Sequence, residues 1–105
     1  MSVQDQIRSQ VTDNAVVLYM KGTPQFPQCG FSGATVQVLQ NCGLDDFVSV
    51  NVLAEAEVRE GIKVYSNWPT IPQLYIKGEF VGGADIVRDL YQQGELQKMI
   101  DSAVA

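Results

Sequence analysis

Two cysteines and no histidine set the chemical reach of this 105-residue chain. Without histidine there is no Cys-His or Ser-His-Asp catalytic arrangement, no histidine-ligated zinc and no histidine general base. Two cysteines cannot build a four-cysteine metal site within one chain, so a thiolate-rich site would need ligands from another chain or from a small molecule. The two cysteines differ in setting. Cys29 ends a loop, Lys21 to Gln28, punctuated by Gly22, Pro24 and Pro27, and it precedes a helical pattern that begins at Gly30. A thiol placed there meets unsatisfied backbone N–H groups and the positive end of a helix dipole. Both favour the thiolate, which is the nucleophilic and metal-binding form. Lys21, at the far end of the loop, adds positive charge. Cys42 falls on the apolar side of the same helical pattern and reads as a core residue. The two thiols stand thirteen positions apart on one predicted helix, about 20 Å, whereas a disulfide needs Cα atoms within roughly 7 Å. Ser32 occupies the position where a Cys-x-x-Cys motif has its second thiol. Its hydroxyl can cap the helix or bond a sulfur, but it cannot resolve a mixed disulfide.

The elements that must position these groups follow from apolar periodicity. Val3, Ile7 and Val11 predict a short amphipathic helix. Ala15 to Met20 is an unbroken apolar run of strand length, the pattern of a strand buried on both faces. In the helix from Gly30, the residues Phe31, Ala34, Val38 and Cys42 form one apolar line, and Gly43 suits its C-terminal stop. Phe47 to Val52 alternates as a second strand. Ala54 to Tyr65 predicts a helix with Val58, Ile62 and Tyr65 inward. Gln73 to Ile76 is a third strand; Lys77-Gly78-Glu79 turns the chain into a short fourth strand at Phe80-Val81. Gly82-Gly83 then opens a helix carrying Ile86, Leu90 and Tyr91, and a last helix over 95–102 buries Leu96, Met99 and Ile100. The order α-β-α-β-α-β-β-α-α predicts an α/β fold, one four-stranded mixed sheet flanked by helices, as a single domain over residues 1–105.

Composition removes further classes. Twelve acids against seven bases give a net charge of −5, and no Lys/Arg cluster of the kind nucleic-acid binding needs is present. No apolar run approaches the roughly 20 residues of a membrane span. The first ten residues lack the apolar core of a secretory signal and make a poor transit peptide. A chain of this size needs no disulfide staple, so a reducing compartment is the expectation.

Cys29-Gly30-Phe31-Ser32, following Lys21-Gly22-Thr23-Pro24, resembles the active site of the monothiol, CGFS-type glutaredoxins. Trp68-Pro69-Thr70-Ile71-Pro72 and Gly82-Gly83-Ala84-Asp85 stand downstream in the places that family has them, as does the eight-residue step from Lys21 to Cys29. The similarity runs from about residue 5 to residue 100 and implies a thioredoxin-like fold and a glutathione site. In that site Lys21 and Arg59 would hold the glycine carboxylate by charge-assisted hydrogen bonds, although Arg59, flanked by Glu55, Glu57 and Glu60, also fits a solvated helix face. Pro72 would be a cis-proline, with the backbone of Ile71 offered to the cysteine part of glutathione. Ile71 replaces an aromatic found in some members, which costs a ring contact and leaves the backbone role. Gly83 and Ala84 would present free N–H groups at a helix start to the γ-glutamyl carboxylate, and the Asp85 carboxylate would accept from the γ-glutamyl ammonium. Ala84 departs from the small polar residue or cysteine common there. Phe31, inside the motif, would belong to the same glutathione surface. Trp68 reads as a core or rim aromatic.

Two functions share these residues. A [2Fe–2S] cluster usually takes four thiolates. Two Cys29 and two glutathione sulfurs supply them, and the resemblance implies a glutathione-bridged homodimer that delivers the cluster to recipient iron–sulfur proteins, with a monomeric apo form. The resemblance also implies a BolA-type partner able to contribute a histidine ligand. The alternative is a glutathione-dependent monothiol oxidoreductase, in which Cys29 takes glutathione from a mixed disulfide and a second glutathione releases it. A bacterial cytoplasm, or a mitochondrial matrix after removal of a presequence, fits either function.

Overall fold

A computed structural model describes residues 2–104. The elements are α1 (Val3–Asp13), β1 (Val16–Met20), α2 (Gly30–Asn41), β2 (Val48–Asn51), α3 (Ala56–Ser66), β3 (Gln73–Ile76), β4 (Glu79–Gly82), α4 (Ala84–Gln92) and α5 (Glu95–Val104). The four strands form one sheet in the order β2-β1-β3-β4, with β1 parallel to β2 and antiparallel to β3, and β4 antiparallel to β3. The fold is therefore the α/β arrangement expected from the order of elements.

Strand β1 is central and all five of its residues are buried. Its alternate residues serve two cores. Val16, Leu18 and Met20 join α2, α4 and α5 through Val36, Leu39, Val87, Leu96 and Ile100. Val17 and Tyr19 join α1 and α3 through Ile7, Val11 and Ile62. The unbroken apolar run is thus explained by a helical layer on each face. The β3–β4 hairpin turns on Lys77 and Gly78, both with positive φ (53° and 80°), the conformation a two-residue I′ turn requires. Glu79 and Gly82 extend β4 beyond the two residues the sequence assigns to it. Likewise β2 is shorter than the 47–52 alternation, and α3 begins two residues after Ala54.

Two helix faces differ from their apolar spacing. On α2 the buried residues are Ser32, Thr35, Val36 and Leu39, while Phe31 is 65% exposed and Ala34 also faces solvent. The hydroxyls can turn inward because both are satisfied: the Lys21 N–H donates to Ser32 Oγ (3.1 Å), and Thr35 Oγ1 donates to the Phe31 carbonyl (2.9 Å). On α4 the buried residue is Val87, with Leu90 packed beside it, and Ile86 and Tyr91 lie at the surface. Ile86 instead covers Gly82, where a Cβ would come within 2.6 Å of Ile86 Cβ.

Helix α2 ends as its sequence predicts. Gly43 takes φ 79°, its N–H donates to the Gln40 carbonyl (2.9 Å), and the Leu44 N–H donates to the Leu39 carbonyl (3.1 Å), a Schellman stop. Cys42, at its C-cap, is buried. Among the described residues no helix is long and apolar enough to cross a membrane.

Candidate functional site

The loop after β1 is pinned at both ends. At its start the Lys21 N–H is held by Ser32 Oγ and the Gly22 N–H by Asn51 Oδ1 (3.0 Å). The Gln28 N–H returns to the Lys21 carbonyl (2.9 Å), and Gly22 bridges Pro27. The loop folds back so tightly that Gly22 adopts φ +93°, and a Cβ there would lie 2.6 Å from both Gln28 N and Phe26 O. Gly22→Ala is accordingly expected to cost about 2 kcal/mol or more of unfolding free energy, read as a lower urea midpoint with an unchanged m-value.

This folded loop delivers Cys29 to the N-cap of α2, in extended conformation (φ −151°, ψ 135°). The Cys29 carbonyl starts the helix by accepting from the Gly33 N–H (2.9 Å). The thiol itself makes no formal cap bond, so the sulfur remains available to react. Its pKa is held below the ordinary thiol value, chiefly by the backbone N–H of Ser32. The Phe31 N–H, the Lys21 charge and the Ser32 hydroxyl act in the same direction, against a partial opposing effect of burial. Cys42 is the reverse case, since burial and the Asp101 charge push its thiol up. Both cysteines are free thiols, one half-buried and one buried.

Cys29 opens onto a cavity of about 430 Å³, within the size range of small-molecule sites. All nine residues proposed from the sequence line it: Lys21, Cys29 and Phe31 on one side, Arg59 on α3, and Ile71, Pro72, Gly83, Ala84 and Asp85 opposite. The Ile71–Pro72 peptide bond is cis. Gly83 is the N-cap of α4. Having no side chain, it leaves the first-turn N–H groups of that helix without a side-chain cap, and Gly83, Ala84 and Asp85 line the cavity there.

Charge pairing divides the three cavity cations, Lys21, Arg59 and Lys63. Arg8 pairs with Asp5, Lys63 with Glu60, Arg88 with Asp85 and Asp89, and Lys98 with Glu95; Lys77 donates to Ser102. Among the described residues, Lys21 and Arg59 have no carboxylate at ion-pairing distance. Of the acids around Arg59, Glu60 pairs with Lys63, and neither Glu55 nor Glu57 reaches Arg59 at ion-pairing distance. Asp85 reaches Arg88 at 3.5 Å and is strongly exposed, so its carboxylate stays accessible at the cavity edge.

Several lining residues have no chemical role read from the sequence, although Trp68 reads there as a core or rim aromatic. Lys63 stands one turn beyond Arg59 on the same helix face, an i,i+4 relation visible in the sequence. Trp68 is delivered by Asn67, which ends α3 in the left-handed conformation (φ 54°). Its indole packs on Phe80 (centroids 5.9 Å apart) and backs Gly83, where a Cβ would lie 3.1 Å from Nε1. Trp68 Nε1 is buried and has no acceptor among the described residues. Thr70, Pro69 and Ile86 complete the wall. Among the described residues no three His, Cys, Asp or Glu converge.

Comparison with known proteins gives one answer. The glutaredoxin family model matches residues 16–81. An uncharacterised monothiol glutaredoxin, ycf64-like, of Synechocystis is 59% identical over 95 residues, covering 90% of this chain and 88% of its own. The mitochondrial monothiol glutaredoxin-5 of Lachancea kluyveri is 55% identical over 101 residues, covering 94% of this chain and 71% of its own. The solution structure of reduced apo GrxS14 from poplar superposes with a TM-score of 0.83 at 49% identity, covering 97% of this chain and 93% of that one.

Proposed function

Since the chain belongs to the glutaredoxin family, among its monothiol members, we propose that it binds glutathione in this cavity and carries a [2Fe–2S] cluster to recipient proteins as a glutathione-bridged homodimer. The observation that carries the reading is a single activated thiol, Cys29, at the mouth of a cavity in which Lys21 and Arg59, two of its three cations, lack acidic partners among the described residues. Glutathione has two carboxylates, an ammonium and a thiol, and each finds a complement. Lys21 and Arg59 take the glycine carboxylate. The Ile71 backbone, set by cis-Pro72, faces the cysteinyl part. The Gly83–Ala84 start of α4 takes the γ-glutamyl carboxylate and Asp85 the ammonium. Phe31 and Ile86 supply the apolar rim.

Cys29 offers the cluster one thiolate per chain. A four-thiolate cargo is completed by a second Cys29 and by two glutathione sulfurs. Ligands held without covalent bonds to the chain release more readily than protein cysteines do, which suits transfer. The apo chain is monomeric in this reading. A BolA-type protein is the second partner, contributing the histidine that this chain does not contain. Relatives of both mitochondrial and bacterial origin agree with a site of action in a mitochondrial matrix or a bacterial cytoplasm.

The lowered Cys29 thiol favours a second activity of the same site. The thiolate attacks the glutathione sulfur of a glutathionylated protein, the S–S bond breaks, and the protein leaves as thiolate. A second glutathione thiolate then attacks the Cys29–glutathione disulfide, giving oxidised glutathione and free Cys29. No second protein thiol is needed, in keeping with the buried hydroxyl of Ser32. Anaerobic incubation with iron, sulfide and glutathione discriminates between the two. The carrier reading expects a coloured dimer. A chain that stays colourless and monomeric while rapidly reducing a glutathione mixed disulfide would overturn it in favour of the oxidoreductase.

A further inference from the structure

Among the described residues Gln73 is the one fully buried amide side chain, and it stands in β3 among Leu74, Tyr75 and Ile76. A primary amide in that position is costly unless its groups are paired. They are: Nε2 donates to the Trp68 carbonyl (3.1 Å) and to the Thr70 carbonyl (3.2 Å), and Oε1 accepts from the Tyr75 hydroxyl (3.1 Å). Both amide protons are therefore spent on the backbone of one loop. Tyr75 is itself fixed in an aromatic cluster, edge-on to Tyr19 (5.6 Å) and tilted against Phe80 (5.4 Å) and Tyr65 (6.0 Å). A rigid sheet position thus grips the segment that contains Trp68, Ile71 and cis-Pro72, although Gln73 does not line the cavity.

We infer that Gln73 is the positioning residue of the ligand site: it fixes the 68–72 backbone so that Ile71 stands at the cavity wall and Trp68 backs Gly83. The inference rests on the reading of the cavity as a glutathione site and names the residue that shapes one wall of it. An apolar side chain of similar size would fill the volume. It would leave two loop carbonyls and the Tyr75 hydroxyl unpaired, and the loop would relax toward water to satisfy them. The Cys29 side of the cavity would be untouched, because its determinants lie on α2 and at Lys21.

The test measures glutathione affinity by calorimetry beside the pH profile of Cys29 alkylation, in the full chain. Gln73→Leu is expected to weaken glutathione about tenfold, and Tyr75→Phe, which leaves both amide donors in place, no more than about threefold. The alkylation profile of Cys29 should stay that of wild type in both. Equal glutathione affinity in wild type and a folded Gln73→Leu chain overturns the inference, as does a Cys29 profile that moves in step with the affinity. If the leucine variant does not fold, Gln73→Glu carries the comparison, since it keeps the volume and the acceptor for Tyr75. Loss of fold in both variants overturns positioning in favour of a stability role. A wild-type chain that binds no glutathione overturns the cavity assignment, and the inference with it; the other results overturn the inference alone.

Discussion

Cys29→Ser is expected to abolish cluster loading and glutathione exchange together, each by at least about a thousandfold. The N–H groups at the start of α2 can hold a thiol below its ordinary pKa, but they cannot ionise an alcohol near neutral pH. Serine therefore keeps the cap geometry and loses both the metal ligand and the nucleophile. Cys42→Ser serves as the control. Cys42 is buried, away from the cavity, and its thiol is pushed up, so this variant should load and exchange as wild type does. The pH dependence follows from the sign of the shift. A lowered pKa means that the Cys29 thiolate persists as pH falls below the ordinary thiol value of 9.0 and is lost only when pH falls through the lowered value. Iodoacetamide alkylation should reach half its plateau rate below that value. Ser32→Ala should move the half-point upward only slightly, because the main contribution comes from the Ser32 N–H, which the substitution retains.

Removing the two unpaired cations is the second large effect. Lys21→Ala and Arg59→Ala are each expected to weaken glutathione about ten- to a hundredfold, the worth of a charge-assisted hydrogen bond. Isothermal calorimetry measures this directly. Arg8→Ala, which removes a cation already paired with Asp5, should leave binding unchanged. The two cavity variants should differ in one respect. Lys21 also lowers the Cys29 thiol, so Lys21→Ala should raise the half-point of the alkylation profile, and Arg59→Ala should not. Rising ionic strength should weaken glutathione binding to the wild type. Wild-type affinity in the Arg59→Ala chain would contradict the placement of the glycine carboxylate.

Much of this architecture could be read in the residues because the apolar pattern has only one fit at β1: a fully buried strand with a helical layer on each face. The hairpin and the stop of α2 were also legible, since Gly78 and Gly43 sit where positive φ is required. The inward faces of α2 and α4 were not. Periodicity ranks side chains by polarity, and it cannot foresee that the Ser32 and Thr35 hydroxyls are satisfied inside while Phe31 is turned outward. For the site, motif segments marked the residues that carry their own chemistry. They did not mark Gln73, whose role depends on which carbonyls the fold brings to its amide, nor which of the helix cations would be left without an acidic partner.

In the proposed carrier one chain supplies one ligand and the cluster is shared. Native mass spectrometry of the anaerobically reconstituted, coloured protein tests it most directly. The expected result is a single species of two chains, two glutathiones, two irons and two sulfides, which collapses to the monomer on loss of the cluster. A coloured species containing one chain, or a cluster-loaded dimer without glutathione, would contradict it.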